Sequence, residues 1–575
     1  AMPTQATSNQ MYSRVGEFLQ QLYPDMPVNY HLVHGQAAWM DDLKKEVELQ
    51  SVGDDRDAGV AAESWFNPRK RTLLAPFGVG TVDQALMSIL QTKHFFVRLF
   101  GLSHKVVIFD EIHAYDTYMN TLFHRLLVWL NAIGTSVVVL SATLPIQTRR
   151  ELVKAYTGKE LPEQEAIYPS LTLANSQRQE TVPLPKPESY TLEIEWRAER
   201  DPAALVGYLQ TALAQGGCAA VLCNTVSRAQ AVFQALTDAR AAGILDVSEE
   251  NLILFHSRFP PVWRMEIESR VREKFQKGGE RPQRAIVVAT QVIEQSLDID
   301  FDLMLSDLAP VDLILQRAGR LHRHRANDGK RYGLSRRLVL FAPEKDENGV
   351  PRFGSDTFIY AEYILLRTYL NLLDTAEITI PEGTSPLIEA VYDPSQPIDL
   401  PAGIDEERLR VLLQKLENED RSAQAKAGQG LVAKPDERGL LSQKMLGLDE
   451  ENPEKHETLR AQTRDIDFSV TVVCLHQDAT GLFVYGQQGQ TVRIDLDKIP
   501  SPIETKALLQ NAIAIQDKWL GSVFVAQPTP PSWQKNASLR YSRHAIFSDG
   551  ICDLPQHTLK LSQKFGLQTS KKEKI

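Results

Sequence analysis

The tetrapeptide Asp110-Glu111-Ile112-His113 directly follows an apolar run, Lys105 to Phe109. An aspartate at the end of a buried strand can hold a Mg²⁺ ion on the phosphates of a bound nucleotide. The glutamate beside it can orient or deprotonate an attacking water. Acid pairs at strand ends are common, so the tetrapeptide alone leaves an ordinary strand end open. Ser141-Ala142-Thr143 closes the next apolar run; by itself it reads as a helix N-cap. In Gln316-Arg317-Ala318-Gly319-Arg320-Leu321-His322-Arg323, Arg320 and Arg323 share one helix face. Two guanidiniums so placed can clamp a triphosphate as its charge shifts during hydrolysis; the alternative is a solvated basic helix. Thr290 to Asp298 is a strand end followed by a polar turn, and Asp298 can hold a ribose hydroxyl.

Parallel strands must position these residues. Lys105–Phe109, Ser136–Leu140, Ala219–Cys223, Leu252–Phe255 and Arg284–Ala289 are short, continuous apolar runs, each ending in small or polar residues. Such runs predict strands buried on both faces of a parallel sheet, with helical spacers making βαβ units. Ligands of open α/β sheets bind at the carboxyl ends of the strands, where all these polar residues fall. The fold class read here is α/β, with two parallel-sheet domains, a helical linker and a small C-terminal accessory domain. The expected boundaries are 1–180, 181–345, 346–460 and 461–575, with a Pro-containing hinge over Asn175 to Tyr190. Arg421 to Gly430 reads as an exposed linker, and Phe468, Val470 and Val472 alternate with polar residues as in a strand. Lys571, Lys572 and Lys574 read as a solvated basic end.

Composition sets limits. The chain has 575 residues, 43% hydrophobic and 24% charged, the balance of an ordinary globular protein with several domains. No stretch approaches about 18 apolar residues, so no membrane span or membrane partner is expected, and the polar first residues do not resemble a signal peptide. The net charge of −10 means that any nucleic-acid site is a local basic surface on an acidic body. Arg317, Arg320, Arg323, Arg325, Lys330, Arg331, Arg336 and Arg337 are candidates for that surface. The four scattered cysteines predict neither disulfides nor a zinc site, but free thiols in a reducing cytoplasm.

In order and spacing the four chemistry-bearing segments resemble those of superfamily 2 helicases of the DExH type. Motif II is Asp110 to His113, motif III Ser141 to Thr143, motif V Thr290 to Asp298 and motif VI Gln316 to Arg323. A finer resemblance is to the CRISPR-associated type I helicase-nuclease family. It is carried by Pro3 to Asn9, Leu32 to Gly35, Val79 to Gln84, Asp110 to Asp116 and Thr290 to Asp298. The resemblance implies two RecA-like domains with ATP and Mg²⁺ in the cleft between them, and single-stranded DNA running across both. It implies that Asp110 serves the metal, Glu111 the attacking water, and that His113 links the nucleotide site to motif III. Gln316, Arg320 and Arg323 complete the catalytic set, the two arginines as fingers. Ser141, Thr143 and Asp298 belong to the nucleotide-binding set, Asp298 at the ribose. Thr4, Gln5, Gly80, Thr81, Asn224, Thr225, Thr290 and Gln291 would line the DNA path, where small polar groups make contacts to phosphate. The implied activity is ATP-dependent 3′→5′ translocation on DNA in antiviral defence, in partnership with a guide-RNA surveillance complex.

Two features of that family do not occur. No G-x-x-x-x-G-K-[ST] loop is present to cradle the β- and γ-phosphates, since Gly158-Lys159 and Gly329-Lys330 lack the upstream glycine. No His-Asp metal cluster of a nuclease domain is present either. The expectation is therefore a C-terminal part that needs an upstream phosphate-loop and nuclease segment, with its first RecA-like domain N-terminally truncated. Two other readings stay open: a DExH helicase acting on RNA or in repair, and a non-catalytic module that docks and holds DNA. Alone, the chain should hydrolyse ATP poorly; DNA-stimulated turnover that Glu111→Gln abolishes would contradict this, in a steady-state phosphate-release assay.

Overall fold

Val28–Val33 (β1) pairs in parallel with Val60–Ala61 (β2) on one side and Phe77–Gly80 (β3) on the other. The apolar runs before Asp110 and Ser141 form a separate parallel pair, Val106–Phe109 (β4) with Ser136–Val139 (β5). The computed structural model describes residues 1–2, 5–24, 28–33, 60–61, 72–92, 95–162, 167–198, 200–294, 297–401, 403–436, 463–464, 469–486, 489–536 and 538–572. Asp116 N-caps the helix Thr117–Ala132, accepting the Met119 N–H at 2.8 Å, as a short acidic side chain at that position should. The helix packs Leu122, Phe123, Leu126 and Leu130 into one core with Phe109 of β4. The Phe109 and Phe123 rings meet edge to face, 4.8 Å between centroids.

Burial on both faces, expected of these strands, holds on one face only. On the other, Val106, Ile108, Val138 and Leu140 are 66, 48, 40 and 46% exposed. β3 and β4 do not pair with each other. Among the described residues, Ala1 and Met2 are what joins them. The Met2 N–H donates to Gly80 and its carbonyl accepts from Val82, while the Ala1 carbonyl accepts from the Asp110 N–H. Ser170–Ala174 (β6) and Gln179–Pro183 (β7) make a hairpin within the polar stretch read as a hinge, its turn held by Asn175 Oδ1.

Residues 1–185 and 414–466 form one compact unit, and residues 186–413 and 467–575 the other. The helical region read as one linker is thus divided between the two. Arg421 to Gly430 is not an exposed linker: it is the end of the helix Glu406–Gln429. Ala427, Leu431 and Val432 are buried in the core around Phe109, and the Trp129 Nε1–H donates to the Ala433 carbonyl at 3.0 Å.

In the second unit, Tyr190–Arg197 (β8), Gly217–Leu222 (β9), Leu252–Phe255 (β10), Arg284–Ala289 (β11), Leu303–Asp307 (β12) and Arg337–Phe341 (β13) form a parallel sheet in the order β10-β11-β9-β12-β13-β8. After a small hairpin, Glu344–Lys345 (β14) with Pro351–Arg352 (β15), Glu377–Ile380 (β16) closes the sheet antiparallel to β8. Every residue of β9, β10 and β12 is buried, which is why these runs carry no polar alternation. Just before β12, Asp300 and Asp302 are wholly buried and paired. Asp302 takes Arg281 at 2.6 Å and Arg331 at 2.8 Å; Asp300 takes Arg331 at 2.8 Å.

Val470–Asp478 (β17) leads a second sheet with Gly481–Tyr485 (β18), Thr491–Ile494 (β19), Ala512–Ile515 (β20), Arg543–Ser548 (β21), Ile551–Asp553 (β22), His557–Ser562 (β23) and Gly566–Lys571 (β24). The alternation read around Val470 suggests one buried face, but β17 is buried on both; Phe468 lies outside the described residues. Val470, Val472 and Cys474 join the core that contains β9 to β13, while Val473 and Leu475 pack on the other side with Val484, Ile494 and Trp533. All four cysteines are free. Among the described residues no helix is long and apolar enough to cross a membrane.

His256, after β10, ties the end of the chain to this unit. Its Nε2–H donates to the Phe565 carbonyl at 3.1 Å and its Nδ1 accepts the Arg258 N–H at 3.2 Å. Burial pushes its pKa down to about 4. The unfolded chain, titrating near 6.5, then binds the extra proton first, so stability is full above that value and is lost as the pH falls toward 4. Urea unfolding at pH 7 and pH 5 should differ by up to about 2 kcal/mol through this group, and His256→Gln should flatten the difference.

Candidate nucleotide and nucleic-acid sites

The apolar strand β4 places Asp110 at its carboxyl end. One Asp110 carboxylate oxygen accepts the Glu111 N–H at 3.0 Å. Glu111 itself has φ +53°, the left-handed region that side chains other than glycine adopt at a cost of about 1–2 kcal/mol. This twist starts the short 3₁₀ turn Ile112–Ala114 and turns the chain sharply off the strand. The buried His113 side chain then reaches two ways. Its Nε2 lies 3.4 Å from Glu111 Oε2, and its Nδ1 lies 3.1 Å from Ser141 Oγ at the end of β5. Ser141 Oγ in turn donates to the Thr143 carbonyl at 3.2 Å. Asp110, Glu111, His113, Ser141 and Thr143 therefore lie in one connected cluster at the ends of two paired strands.

Gly80 and Thr81 end β3 in the same unit. A Cβ on Gly80 would fall 2.3 Å from the Val33 carbonyl oxygen, so close strand approach alone requires glycine there. Thr81 is buried, and its N–H donates to Val33 at 3.2 Å. Thr4 lies outside the described residues; Gln5 opens the helix Gln5–Leu22.

In the second unit, Asn224 and Thr225 follow β9, and Thr290 and Gln291 follow its neighbour β11. The Gln291 Nε2–H donates to the Asn224 carbonyl at 2.9 Å, so the two strand ends are joined. Asn224 and Thr290 are buried, and the Asn224 amide donates to Leu308 at 2.7 Å. Thr225 N-caps the helix Val226–Ala241. Asp298, read as the ribose acid, is bound to Arg323, read as a finger: Nε to Oδ1 is 2.6 Å, with His324 Nε2 at 3.1 Å from the same oxygen. Burial raises the Asp298 pKa, but these hydrogen bonds and charges outweigh it and leave the carboxyl below its ordinary value. Arg320 donates to the Glu294 carbonyl at 2.9 Å, and Gln316 Nε2 is buried with no partner among the described residues. Gln295 and Ser296 lie outside the described residues.

The residue that sequence reasoning misplaced is Arg317. It adds nothing to a basic surface, being 1% exposed. Its guanidinium donates to Glu294 Oε1 at 2.7 Å, Ser306 Oγ at 2.7 Å, the Asp307 carbonyl at 3.0 Å and Tyr360 Oη at 3.4 Å. Burial works against its charge, but Glu294, Tyr360 and Asp307 reverse this and hold the pKa above the ordinary value. Its signal was spacing: Val311, Ile314 and Arg317 share the buried side of one helix. Arg331 is likewise buried, in the Asp300–Asp302 pairs.

The acid cluster fits a divalent ion shared with a ligand. Among the described residues no three His, Cys, Asp or Glu side chains are grouped to hold a metal by themselves. Mg²⁺ ordinarily takes one or two carboxylates plus substrate phosphates, and Asp110 offers one such carboxylate at a strand end.

An acid cluster at the strand ends of one parallel α/β sheet and an arginine pair beside another are features of RecA-like helicases. Residues 215–326 match the family described as CRISPR-associated nuclease/helicase Cas3, C-terminal, and residues 464–567 match the Cas3 C-terminal domain. The chain is 36% identical over 583 residues to the CRISPR-associated endonuclease/helicase Cas3 of Thermus thermophilus, covering 94% of this chain and 62% of that protein. It is 32% identical to the CRISPR-associated nuclease/helicase Cas3 of Streptococcus thermophilus, covering 89% and 55%. The crystal structure of T. fusca Cas3 with AMPPNP superposes with a TM-score of 0.81 at 30% identity, over 99% of this chain and 64% of that one. A chain of a CRISPR RNA-guided surveillance complex, pre-nicking, superposes at 0.68 with 27% identity, over 99% and 67%. The chain belongs to the Cas3 family, described as CRISPR-associated nuclease/helicase, and spans 55–62% of the length of these two relatives.

The left-handed backbone at Glu111 generates a test. Glu111→Gly removes the carboxylate yet relieves the strain, so the unfolding free energy should hold or rise by up to about 1 kcal/mol, measured by chemical denaturation.

Proposed function

We propose that this chain is the helicase part of a CRISPR type I interference protein. It moves 3′→5′ along single-stranded DNA at the expense of ATP and unwinds target DNA for degradation, in the cytoplasm and in association with a guide-RNA surveillance complex. The observation that carries this reading is the continuous contact from Glu111 through His113 to Ser141 at the ends of β4 and β5. A water-orienting acid is thereby coupled to a second strand end that nucleotide can move. Asp110 would hold a Mg²⁺ ion, which would supply charge neutralisation at the phosphates; Glu111 orients the water, and Arg320 and Arg323 stabilise the leaving charge. Asp298 turns from Arg323 to the ribose when nucleotide arrives; Ser141 and Thr143 sense it, and Gln316 joins the arginines. Thr4, Gln5, Gly80, Thr81, Asn224, Thr225, Thr290 and Gln291 follow the DNA backbone.

A further segment supplies the phosphate loop. Supporting this are the unpaired edges of β3 and β4, joined only through Ala1 and Met2 among the described residues, and the bare apolar face of Val106, Ile108, Val138 and Leu140. A strand, loop and helix would fill both, and the nuclease lies upstream of them. The absent phosphate-loop sequence also favours a second reading, a DNA-holding docking module without catalysis.

Supplying a phosphate-loop segment, fused or in trans, should restore ATPase stimulated by single-stranded DNA more than by RNA. Glu111→Gln should abolish turnover, and Arg320→Ala or Arg323→Ala should lower kcat by about 10³-fold. Failure of any supplied segment to restore turnover, with DNA binding intact, would favour the docking module; stronger stimulation by RNA would favour another DExH helicase.

A further inference from the structure

An aromatic cavity of about 330 Å³ lies in the second unit, away from the residues assigned above. Trp263, from the helix Pro261–Phe275, faces Tyr485 of β18 at 5.4 Å between ring centroids. His476 of β17 meets Tyr485 at 4.7 Å and Phe483 at 5.5 Å. The lining includes two carboxylates, Asp478 and Asp549, and neither lysine nor arginine. Burial holds the His476 pKa down to about 4, so it brings no positive charge at neutral pH.

Three groups here lack partners among the described residues. Trp263 and His476 are 4% and 7% exposed, yet Trp263 Nε1 and His476 Nε2 make no hydrogen bond. A buried indole N–H wants an acceptor. Asp549 makes no ion pair, and a left-handed backbone, φ +50°, fixes it in the hairpin turn with Gly550. The other acid is already used: Asp478 binds Arg493 at 2.8 Å, and that guanidinium sits over the Phe483 ring, 5.2 Å from its centroid.

Rings beside a free carboxylate, where the one neighbouring cation, Arg493, is already neutralised by Asp478, select a positive charge, most favourably a planar one that can stack. Phosphate is disfavoured, because no lysine or arginine lines the cavity to neutralise it and the unpaired Asp549 repels it. We propose that this cavity binds an arginine side chain of a protein partner, its guanidinium on the Tyr485 ring toward Asp549, and its peptide carbonyl on Trp263 Nε1. The proposal does not depend on the nucleotide reading.

The test follows the indole N–H signals of the ¹⁵N-labelled full chain, with Trp263→Phe assigning the Trp263 signal, while N-acetyl-arginine amide is added. A saturable shift of that signal is expected, weakened about tenfold by Tyr485→Leu and several-fold by Asp549→Asn. Asn tolerates the left-handed backbone, and its position on an exposed turn keeps the test valid if Tyr485→Leu fails to fold. No saturable shift, an equal response to the neutral isostere N-acetyl-citrulline amide, or a shift caused instead by thymidine monophosphate would overturn the proposal.

Discussion

A guanidinium sealed from water must be neutralised where it stands, and Arg317 meets this requirement by drawing three other parts of the chain to its own helix. Glu294 comes from the turn after β11, Ser306 and Asp307 from β12, and Tyr360 from the segment before the helix Glu362–Leu372. Removing one partner of such a buried pair typically costs about 3–5 kcal/mol, since the remaining charge is left without compensation. The directional demand matters as much as the energy. Five donors in a fixed plane set where the turn carrying Glu294 lies relative to the turn carrying Arg320; because the helix ends at Ala318, Arg320 and Arg323 lie beyond it and do not share a helix face as their spacing suggests. Arg320 then adds its own bond to the Glu294 carbonyl. Tyr360 Oη also takes Gln291 Nε2 at 3.2 Å, so the segment assigned to DNA and the arginines assigned to nucleotide share one buried hub.

The acid cluster of the first unit is organised differently. It rests on two adjacent strand ends and one strained residue rather than on a buried charge. The left-handed turn at Glu111 is kept because Phe109 and Ile112, on either side, are buried in one core with the helix Thr117–Ala132. A carboxylate presented this way is fixed in direction while staying open to solvent.

Much of this was legible from residue types. All five apolar runs are strands, and the polar residues closing four of them lie in the two clusters, while His256, which closes the fifth, bonds to Phe565 instead. What was not legible depended on partners distant in the chain. Arg317 carries the same letter as Arg323, and only its apolar neighbours at helical spacing separate a buried hub from an exposed arginine. Arg421 to Gly430 is polar enough for a linker, but Ala427, with Leu431 and Val432 just beyond the stretch, is buried in the first core. The strand β17 alternates weakly because Thr471 is its one half-exposed position before His476. The bare face of β4 and β5 has no sequence signature at all, since the same Val-Val-Ile-Phe run serves a strand covered on one side or on both.

The two-sided burial of β17 bears on how this family can diversify. One side of that strand belongs to the same apolar core as the helicase sheet, and the other belongs to the C-terminal sheet alone. Changes on the second side, with Val473, Leu475 and Trp533, stay within the core of the C-terminal sheet. Changes at Val470, Val472 or Cys474 must be matched by the helicase sheet. A substitution on the first side of β17 is therefore felt in both sheets, and one on the second side in the C-terminal sheet alone.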